Sequence, residues 1–266
     1  MIVFRGALHA HSTYSDGQLT LSELRRTFES DGCQFLFVSD HADAFTTESI
    51  DAYRRECAEL SDDRFVFVPS LEYTCDQRMH MLGYGVTTLA PVTDPEAVIR
   101  HIRASSGIPV IAHPRDAAFA WIETFSELPD GIEVWNSKYD GRYAPRPQTF
   151  RLLQRLQTRR PATLAFYGQD YHWRTQPRVL FANITAESLS PDALLAAVAN
   201  GRFEAVKGEL RLPSSGVVSD AQLSDFGVAN ARATRVKRLL VTLKNVAGSL
   251  GATVPEPLKA RLRRYF

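Results

Sequence analysis

Two short segments, more than half the chain apart, each place two potential metal ligands at the end of an apolar run. His9 and His11 follow the first apolar run of the sequence, and Asp170 and His172 follow a much later one. In an extended strand, residues i and i+2 project to the same side. Each pair can therefore face one point in space. We expect a divalent metal at that point, with the chain folded around it.

Apolar runs alternate with helical segments along most of the sequence, which is typical of a parallel α/β fold. The first predicted helix begins at a capping box formed by Thr20 and Glu23. About seven strands are predicted, of which 179–184 is the last clear one, and most are followed by a helix. An open doubly wound sheet would also bind ligands at the carboxyl ends of its strands. A barrel rim can aim side chains from many strands at one centre, so we predict an α/β barrel.

The charge distribution divides the sequence into two parts. Residues 229–266 contain nine Lys or Arg and one Glu, so this segment carries +8 and residues 1–228 carry −7. We predict a barrel domain over residues 1–213 and a basic, mostly helical extension over 214–266, packed on the barrel or at an oligomer contact. Basic side chains of this kind can bind a nucleic acid backbone, and the alternative is a solvated helix face.

Cysteine usage and hydropathy favour a cytoplasmic protein without a membrane partner. No apolar run approaches the ~18 residues of a membrane span, and the N-terminal run lacks the pattern of a signal peptide. Cys33, Cys57 and Cys75 show no motif spacing, so we expect reduced thiols. The sequence gives no indication of oligomeric state.

Many acids and histidines occupy comparable positions at or near strand ends: His9, His11, Asp16, Asp40, His41, Glu72, His80, His113, Asp170 and His172. Each alone has an ordinary explanation as a hydrogen-bonded rim residue. Together they are costly to bury unless something compensates them, and a metal compensates imidazoles and carboxylates well. By contrast, His101 lies in a predicted helix between arginines and is interpreted as a surface residue.

The motifs around these residues resemble those of the PHP family, the polymerase and histidinol phosphatase family of metal-dependent phosphoesterases. The resemblance covers roughly residues 2–210. It rests on His9-Ala10-His11-Ser12, Ser15-Asp16-Gly17, Ser39-Asp40-His41, Leu71-Glu72-Tyr73, His80-Met81-Leu82-Gly83-Tyr84, Ala112-His113-Pro114 and Asp170-Tyr171-His172. It implies a distorted (β/α)7 barrel of the PHP type, with two or three divalent metals at the C-terminal rim.

The resemblance also implies a role for each candidate. One metal would be held by His9, His11, Glu72 and Asp170, and Glu72 would bridge to a second metal completed by His80 and His113. A third would be held by Asp16, His41 and His172. Asp40 would take part in catalysis by orienting a metal ligand without binding the metal itself. The Ser-Asp-Gly form at Asp16 is typical of the nucleotide- and nucleic-acid-directed branch, and it points away from histidinol phosphate.

Charge balance gives an independent argument for phosphate chemistry. Three divalent ions exceed the charge of Asp16, Glu72, Asp170 and one bridging hydroxide by about +2, which complements a phosphate monoester dianion. Clustered metals also lower the pKa of bound water, so a bridging hydroxide can serve as the nucleophile. Histidine and carboxylate ligands without cysteine suit Mn, Fe or Zn.

Candidate substrate-binding residues lie in loops that leave the strand ends. Arg115, which follows His113, could grip a phosphate oxygen and take part in catalysis; the alternative is a surface ion pair with a nearby acid. Tyr14, Lys138 and Arg142, with Tyr139 and Trp173, could form a cationic and aromatic rim that stacks on a base. Ordinary loop packing remains the alternative for that rim.

We therefore expect a metal-dependent phosphoesterase that hydrolyses a phosphate monoester of a nucleotide or another small phosphorylated metabolite. Alternatives are a 5′–3′ exonuclease on short oligonucleotides, a histidinol-phosphatase-like enzyme, and a non-catalytic metal module that binds nucleic acid or a protein partner. A C–N hydrolase on a related barrel would typically need a metal-bridging carboxylated lysine, and the candidate strands show no lysine at such a position.

Overall fold

The computed structural model describes residues 1–140 and 143–249, which form a mixed α/β fold around one sheet. The strands are β1 (Ile2–Ala10), β2 (Phe35–His41), β3 (Val66–Thr74), β4 (His80–Tyr84), β5 (Ile108–Ala112), β6 (Gly131–Asn136), β7 (Leu164–Gly168), β8 (Phe181–Ala186), β9 (Phe203–Lys207) and β10 (Leu210–Pro213). The helices are α1 (Leu21–Glu29), α2 (Thr47–Glu59), α3 (Pro95–Ala104), α4 (Phe119–Ile122), α5 (Pro147–Arg159), α6 (Pro191–Ala199) and α7 (Asp220–Ser249).

The sheet has the order β10-β9-β8-β1-β2-β3-β4-β5-β6-β7 and curls until the chain that follows its last strand, β7, reaches the interior strand β1. The segment after β7 bonds to β1: Gln169 N donates to Leu8 O over 2.8 Å, and Tyr171 N donates to His9 O over 3.2 Å. A parallel bridge between Ala10 and Tyr171 extends this closure. The sheet is therefore a nearly closed barrel, as predicted for the fold class.

The barrel departs from a regular alternation of strands and helices. The chain turns directly from β3 into β4, which runs antiparallel to both β3 and β5. β7 leads to β8 without an intervening helix. The prediction of about seven strands is wrong, because the described residues form ten; β9 and β10 are two of the additional strands, and they follow the last predicted strand. These two are short and carry charged residues, so neither stands out as an apolar run.

An aromatic layer fills the barrel interior. The ring centroids of Phe37 and Tyr84 lie 5.2 Å apart, and those of Tyr84 and Phe166 lie 5.6 Å apart. The strands that carry these rings, β2, β4 and β7, are not sheet neighbours, so the rings meet across the barrel. Tyr84 is fully buried. Aromatic side chains from three separate strands therefore fill the centre of the barrel.

The capping residues predicted for the first helix are found at its start. The Thr20–Glu23 capping box is confirmed, with Thr20 Oγ1 accepting from Glu23 N over 3.2 Å.

Helix α7 packs its first turns on α5, where Phe226 stacks on Phe150 with centroids 6.2 Å apart. Residues 250–266 of the basic segment lie outside the described residues. Within the described part, no helix combines the length and the apolarity needed to cross a membrane.

Candidate metal centre

All nine predicted metal ligands converge on one rim of the barrel. His9 and His11 lie at the end of β1, His41 ends β2, and Glu72 lies near the end of β3. His113 follows β5, Asp170 and His172 follow β7, and Asp16 comes from the loop after β1. His80 begins its strand instead of ending it. Because β4 runs antiparallel, its first residue reaches the same rim as the last residues of its neighbours.

Within this cluster, four groups of side chains have ligand atoms within 4.8 Å of one another and could hold a metal ion. The groups are His11, Asp16, His41 and His172; His9, His113 and Asp170; His9, His11 and Glu72; and His41, Glu72 and His80. They share members, so the cluster suits more than one ion. The sets resemble, but do not duplicate, those implied by the family motifs.

Glu72 lies at the centre of the cluster, with its carboxylate buried and in contact with five histidines. Its Oε1 lies 3.0 Å from His80 Nδ1 and 3.2 Å from His113 Nε2. Its Oε2 lies 3.3 Å from His11 Nε2, 3.5 Å from His9 Nε2 and 3.3 Å from His41 Nδ1. Each oxygen faces a different subset of imidazoles. That arrangement is the one a bridging carboxylate needs.

Asp16 closes the solvent side of the cluster. Its Oδ1 lies 3.3 Å from His172 Nε2, 3.6 Å from His11 Nδ1 and 3.7 Å from His41 Nε2. Its side chain is 57% exposed, whereas that of His172 is 2% exposed. An ion held by this group would therefore be the one nearest to solvent and to an incoming substrate.

The acids and imidazoles of the cluster shift each other's pKa values. Burial opposes ionisation of Glu72 and Asp170, but His9 and the neighbouring imidazoles hold both carboxyl pKa values well below their usual range. Burial also opposes charge on His9 and His172, yet Asp170 and other acids raise the pKa of His9 and raise that of His172 to about 9. Burial lowers the pKa of His11 to about 3. The carboxylates therefore stay ionised and favour cations.

The cluster has polar atoms that protein groups do not satisfy, as a metal site requires. Among the residues that the structure describes, His11 Nδ1 and His41 Nδ1 are buried and have no hydrogen-bond partner. His9 Nε2 and His11 Nε2 lie 3.1 Å apart in a fully buried setting, where two imidazole lone pairs need a shared proton or a cation between them. An unsatisfied buried polar group costs about 1–3 kcal/mol. These donors fit divalent ions such as Mn, Fe or Zn.

Asp40 organises the loop that carries Asp16. Its Oδ1 accepts from Ser12 N over 2.8 Å and from Ser15 Oγ over 2.6 Å, and its Oδ2 accepts from Ser12 Oγ over 2.7 Å. Gly17 completes the turn, because a Cβ at this position would overlap the carbonyl group of His11. Asp40 thus holds the loop through its backbone and its serine hydroxyls, and it makes no hydrogen bond or ion pair with a candidate ligand side chain among the described residues.

Lys138 lies at the mouth of the cluster. Its Nζ is 3.4 Å from Asp170 Oδ1 and 3.1 Å from His172 Nε2. The rings of Tyr139 and Trp173 flank it, with centroids 5.0 and 5.2 Å from Nζ. Tyr139 also packs on His113, with ring centroids 4.5 Å apart. A cation and two exposed aromatic rings therefore border the candidate ligands.

The other candidate substrate-binding residues lie differently. Tyr14 donates to Glu56 Oε2 over 2.8 Å and packs its ring against Phe45 and Tyr53. Arg115 is exposed and forms no ion pair within the described residues, while its neighbour Asp116 pairs with Arg146. Arg142 lies outside the described residues. Among the candidate substrate-binding residues that the structure describes, Lys138 is the one in contact with the cluster.

Two residues that sequence reasoning missed lie directly behind the ligands. Glu133 and Asn136 on β6 are fully buried and hydrogen-bond to each other and to the cluster. The one available signal was an acid inside the otherwise apolar run Gly131–Trp135. A buried acid indicates that a partner is required, without identifying it.

No family model and no curated relative matches the sequence. Among solved structures, the fold is similar to a two-domain protein from Bacteroides vulgatus ATCC 8482 containing a predicted PHP-like metal-dependent phosphoesterase, with 16% identity over 86% of this chain and 70% of that chain, and a TM-score of 0.56. It is also similar to PsfC from Pseudomonas syringae PB-5123, with 14% identity over 87% and 99% of the two chains, and a TM-score of 0.50. At these identities the likeness shows a shared fold.

Proposed function

We propose that this chain is a PHP-type metal-dependent phosphoesterase that hydrolyses a phosphate monoester with two or three divalent ions held by the nine rim residues. The observation that carries the proposal is the position of Glu72. One buried carboxylate contacts five histidines, three of them in β1, β2 and β4 and two just past the ends of β1 and β5, and Asp16 and Asp170 complete the set. The fold shared with a protein described as PHP-like adds support.

Bound divalent ions would supply hydroxide near neutral pH and neutralise phosphate oxygens. The protein residues then have three tasks. Glu72, Asp170 and the imidazoles would fix where the ions lie, and the aromatic layer that includes Tyr84 fills the barrel interior. Lys138 presents an ammonium group at the open side of the cluster, where an anionic substrate enters. No side-chain nucleophile is required.

The rim favours a small phosphorylated substrate with a planar group, such as a nucleotide. Tyr139 and Trp173 are 53% and 42% exposed, and their ring centroids lie 5.0 and 5.2 Å from Lys138 Nζ, so they can stack on a base while Lys138 contacts a phosphate. The Ser15-Asp16-Gly17 form is consistent with this substrate class. A cytoplasmic enzyme with a barrel over 1–213 and a basic extension over 214–266 completes the proposal.

Metal analysis and phosphate release test the proposal together. The purified protein should contain two or three divalent ions per chain and should hydrolyse an aryl phosphate when manganese is added. His11→Ala should abolish this activity. His101→Ala is the matched control, because His101 lies on α3 and bonds to Thr88, away from the cluster. A protein that binds metal but releases no phosphate from any nucleotide, sugar phosphate or short oligonucleotide would instead be a non-catalytic module.

A further inference from the structure

We infer that Glu133 is a positioning residue that, together with Asn136, fixes the orientation of three candidate metal ligands: His9, His113 and Asp170. This inference rests on the metal centre of the proposed function. It does not depend on which substrate the protein hydrolyses. Four hydrogen bonds, an unusual backbone conformation shared by the three ligands, and a glycine that leaves room for the Glu133 carboxylate support this role.

Glu133 and Asn136 contact each of the three ligands by a different route. Glu133 Oε1 lies 2.8 Å from His9 Nδ1, and Oε2 accepts from the backbone N–H of His113 over 2.8 Å. Asn136 Nδ2 donates both to Glu133 Oε2 over 2.9 Å and to Asp170 Oδ2 over 3.1 Å. All of these polar side chains except that of His113 are fully buried. The pair therefore joins ligands from three separate strand ends.

The same three ligands have left-handed backbone conformations. The φ angles are 64° at His9, 28° at His113 and 49° at Asp170. Non-glycine residues adopt this region rarely, because Cβ approaches the backbone too closely. Such conformations persist only where surrounding contacts hold them in place. The contacts of Glu133 and Asn136 fall on all three of these positions at the cluster.

Two local features bring Glu133 and Asn136 to one side of β6. In a regular strand, residues three apart point to opposite faces. The register of β6 with β7 shifts between Glu133 and Trp135, which is a bulge that lets both polar side chains face the barrel interior. On β7, Gly168 leaves the space that the carboxylate occupies, since a Cβ there would overlap Glu133 Oε1.

The contact with His9 selects one tautomer of its ring. A carboxylate can only accept, so in the neutral ring that a metal requires Nδ1 of His9 carries the proton, and Nε2, which lies 3.5 Å from Glu72 Oε2, is left for the cluster. In Glu133→Gln, one oxygen becomes an NH2 group. Because His113 N and Asn136 Nδ2 both donate to Oε2, the amide oxygen stays there and the NH2 faces His9. His9 must then accept at Nδ1 and carry its proton on Nε2, where it blocks a metal.

Zinc titration combined with NMR of the histidine ring nitrogens tests this inference without any turnover. We expect Glu133→Gln to lower zinc affinity about 10- to 100-fold in chelator competition. The ring ¹⁵N signals of His9 should lose the pattern of an Nδ1–H, Nε2-metal imidazole. Glu204→Gln on β9 is the matched control, because Glu204 accepts from Asn183 outside the site. It should change neither readout.

Gly168→Ala tests the position of the Glu133 carboxylate separately from its charge. It is also the second test if Glu133→Gln fails to fold. This variant keeps the Glu133 charge but displaces its carboxylate, so zinc affinity and the His9 signals should change as in Glu133→Gln. Unchanged zinc affinity in a folded variant, with wild-type protein binding zinc normally, would overturn the role of Glu133. Wild-type protein that binds no zinc or manganese would instead overturn the proposed function.

Discussion

Glu72 Oε1 lies 3.0 Å from His80 Nδ1, although the two residues lie on antiparallel strands. In the register of β3 and β4, His80 is opposite Thr74, so Glu72 and His80 are diagonal neighbours on one face. Diagonal pairs of this kind remain within reach of long side chains. The hairpin thus adds a ligand to the rim from a strand that runs the opposite way.

Replacing this central carboxylate should affect the whole centre. Glu72→Gln removes the negative charge that five histidines contact. An amide also cannot bridge two ions as a carboxylate does. We expect loss of all but weakly bound metal and a fall in phosphatase activity beyond about 100-fold, more than outer partners typically cause. Metal content and aryl phosphate hydrolysis measure both effects. Glu59→Gln, on the exposed side of α2, is the control. Full metal content in Glu72→Gln would contradict a bridging role.

Removing the ammonium group at the cluster mouth should weaken substrate binding and leave metal bound. Lys138→Met eliminates a charge-assisted contact of about 1.5–3 kcal/mol with an anion, so KM for the phosphate ester should rise about tenfold or more. Metal content should not fall, since Lys138 repels cations from Asp170 and His172. Steady-state kinetics and metal analysis report the two effects separately. Arg54→Met, on exposed α2, should leave both unchanged. Loss of metal in Lys138→Met would mean that the lysine supports the cluster.

Metal affinity should rise with pH. Burial opposes protonation of His172, but Asp16 and Asp170 raise its pKa to about 9 in the metal-free protein. A metal binds only the deprotonated ring, so below this pH binding must release a proton. Affinity should therefore fall by about tenfold per pH unit for each proton displaced as the pH drops from 8.5 to 6.5. Competition with a chelator measures this slope. His172→Ala should flatten it, whereas His101→Ala should not.

The contribution of the loop after β6 to protein stability should depend on Arg146, and the size of this effect should change with pH. Arg146 Nε pairs with Asp140 Oδ1 at 2.5 Å, and the guanidinium also bonds to Asp116 and to Pro114 O. Burial raises the pKa of Asp140 from 3.8 to about 6, against the attraction of Arg146. The folded pKa is above the unfolded value, so the stability that Asp140 contributes is present at low pH and is lost as pH rises through about 6.

Arg146→Met should therefore destabilise the protein more above pH 6 than below it. At pH 8 Asp140 is ionised and loses its partner, and the free energy of unfolding should fall by about 1–3 kcal/mol. At pH 5 Asp140 is largely protonated, so the loss should be smaller and due to the remaining contacts of Arg146. Urea unfolding at both values measures the difference. Arg146→Lys, which keeps the charge, should lose less at pH 8. An equal loss of stability at both pH values in Arg146→Met would show that the ion pair with Asp140 contributes nothing.

The sequence by itself determined the fold class and the candidate ligands. Apolar runs alternating with capped helices predict an α/β barrel, because burial and hydrogen bonding act over a few residues. His9, Glu72 and Asp170 could be found because each ends or follows an apolar run, where a polar side chain is conspicuous. Parallel strands then bring such residues to one rim wherever the strands pair.

Only the tertiary structure decided what holds the ligands in place. Glu133 and Asn136 lie three apart on β6, so simple alternation puts them on opposite faces, and a bulge set by pairing with β7 reverses this. The antiparallel direction of β4, the charged short strands β9 and β10, and the contact of Lys138 with Asp170 also depend on distant partners. These features arise from long-range pairing and packing, for which a local pattern of residue types contains no signal.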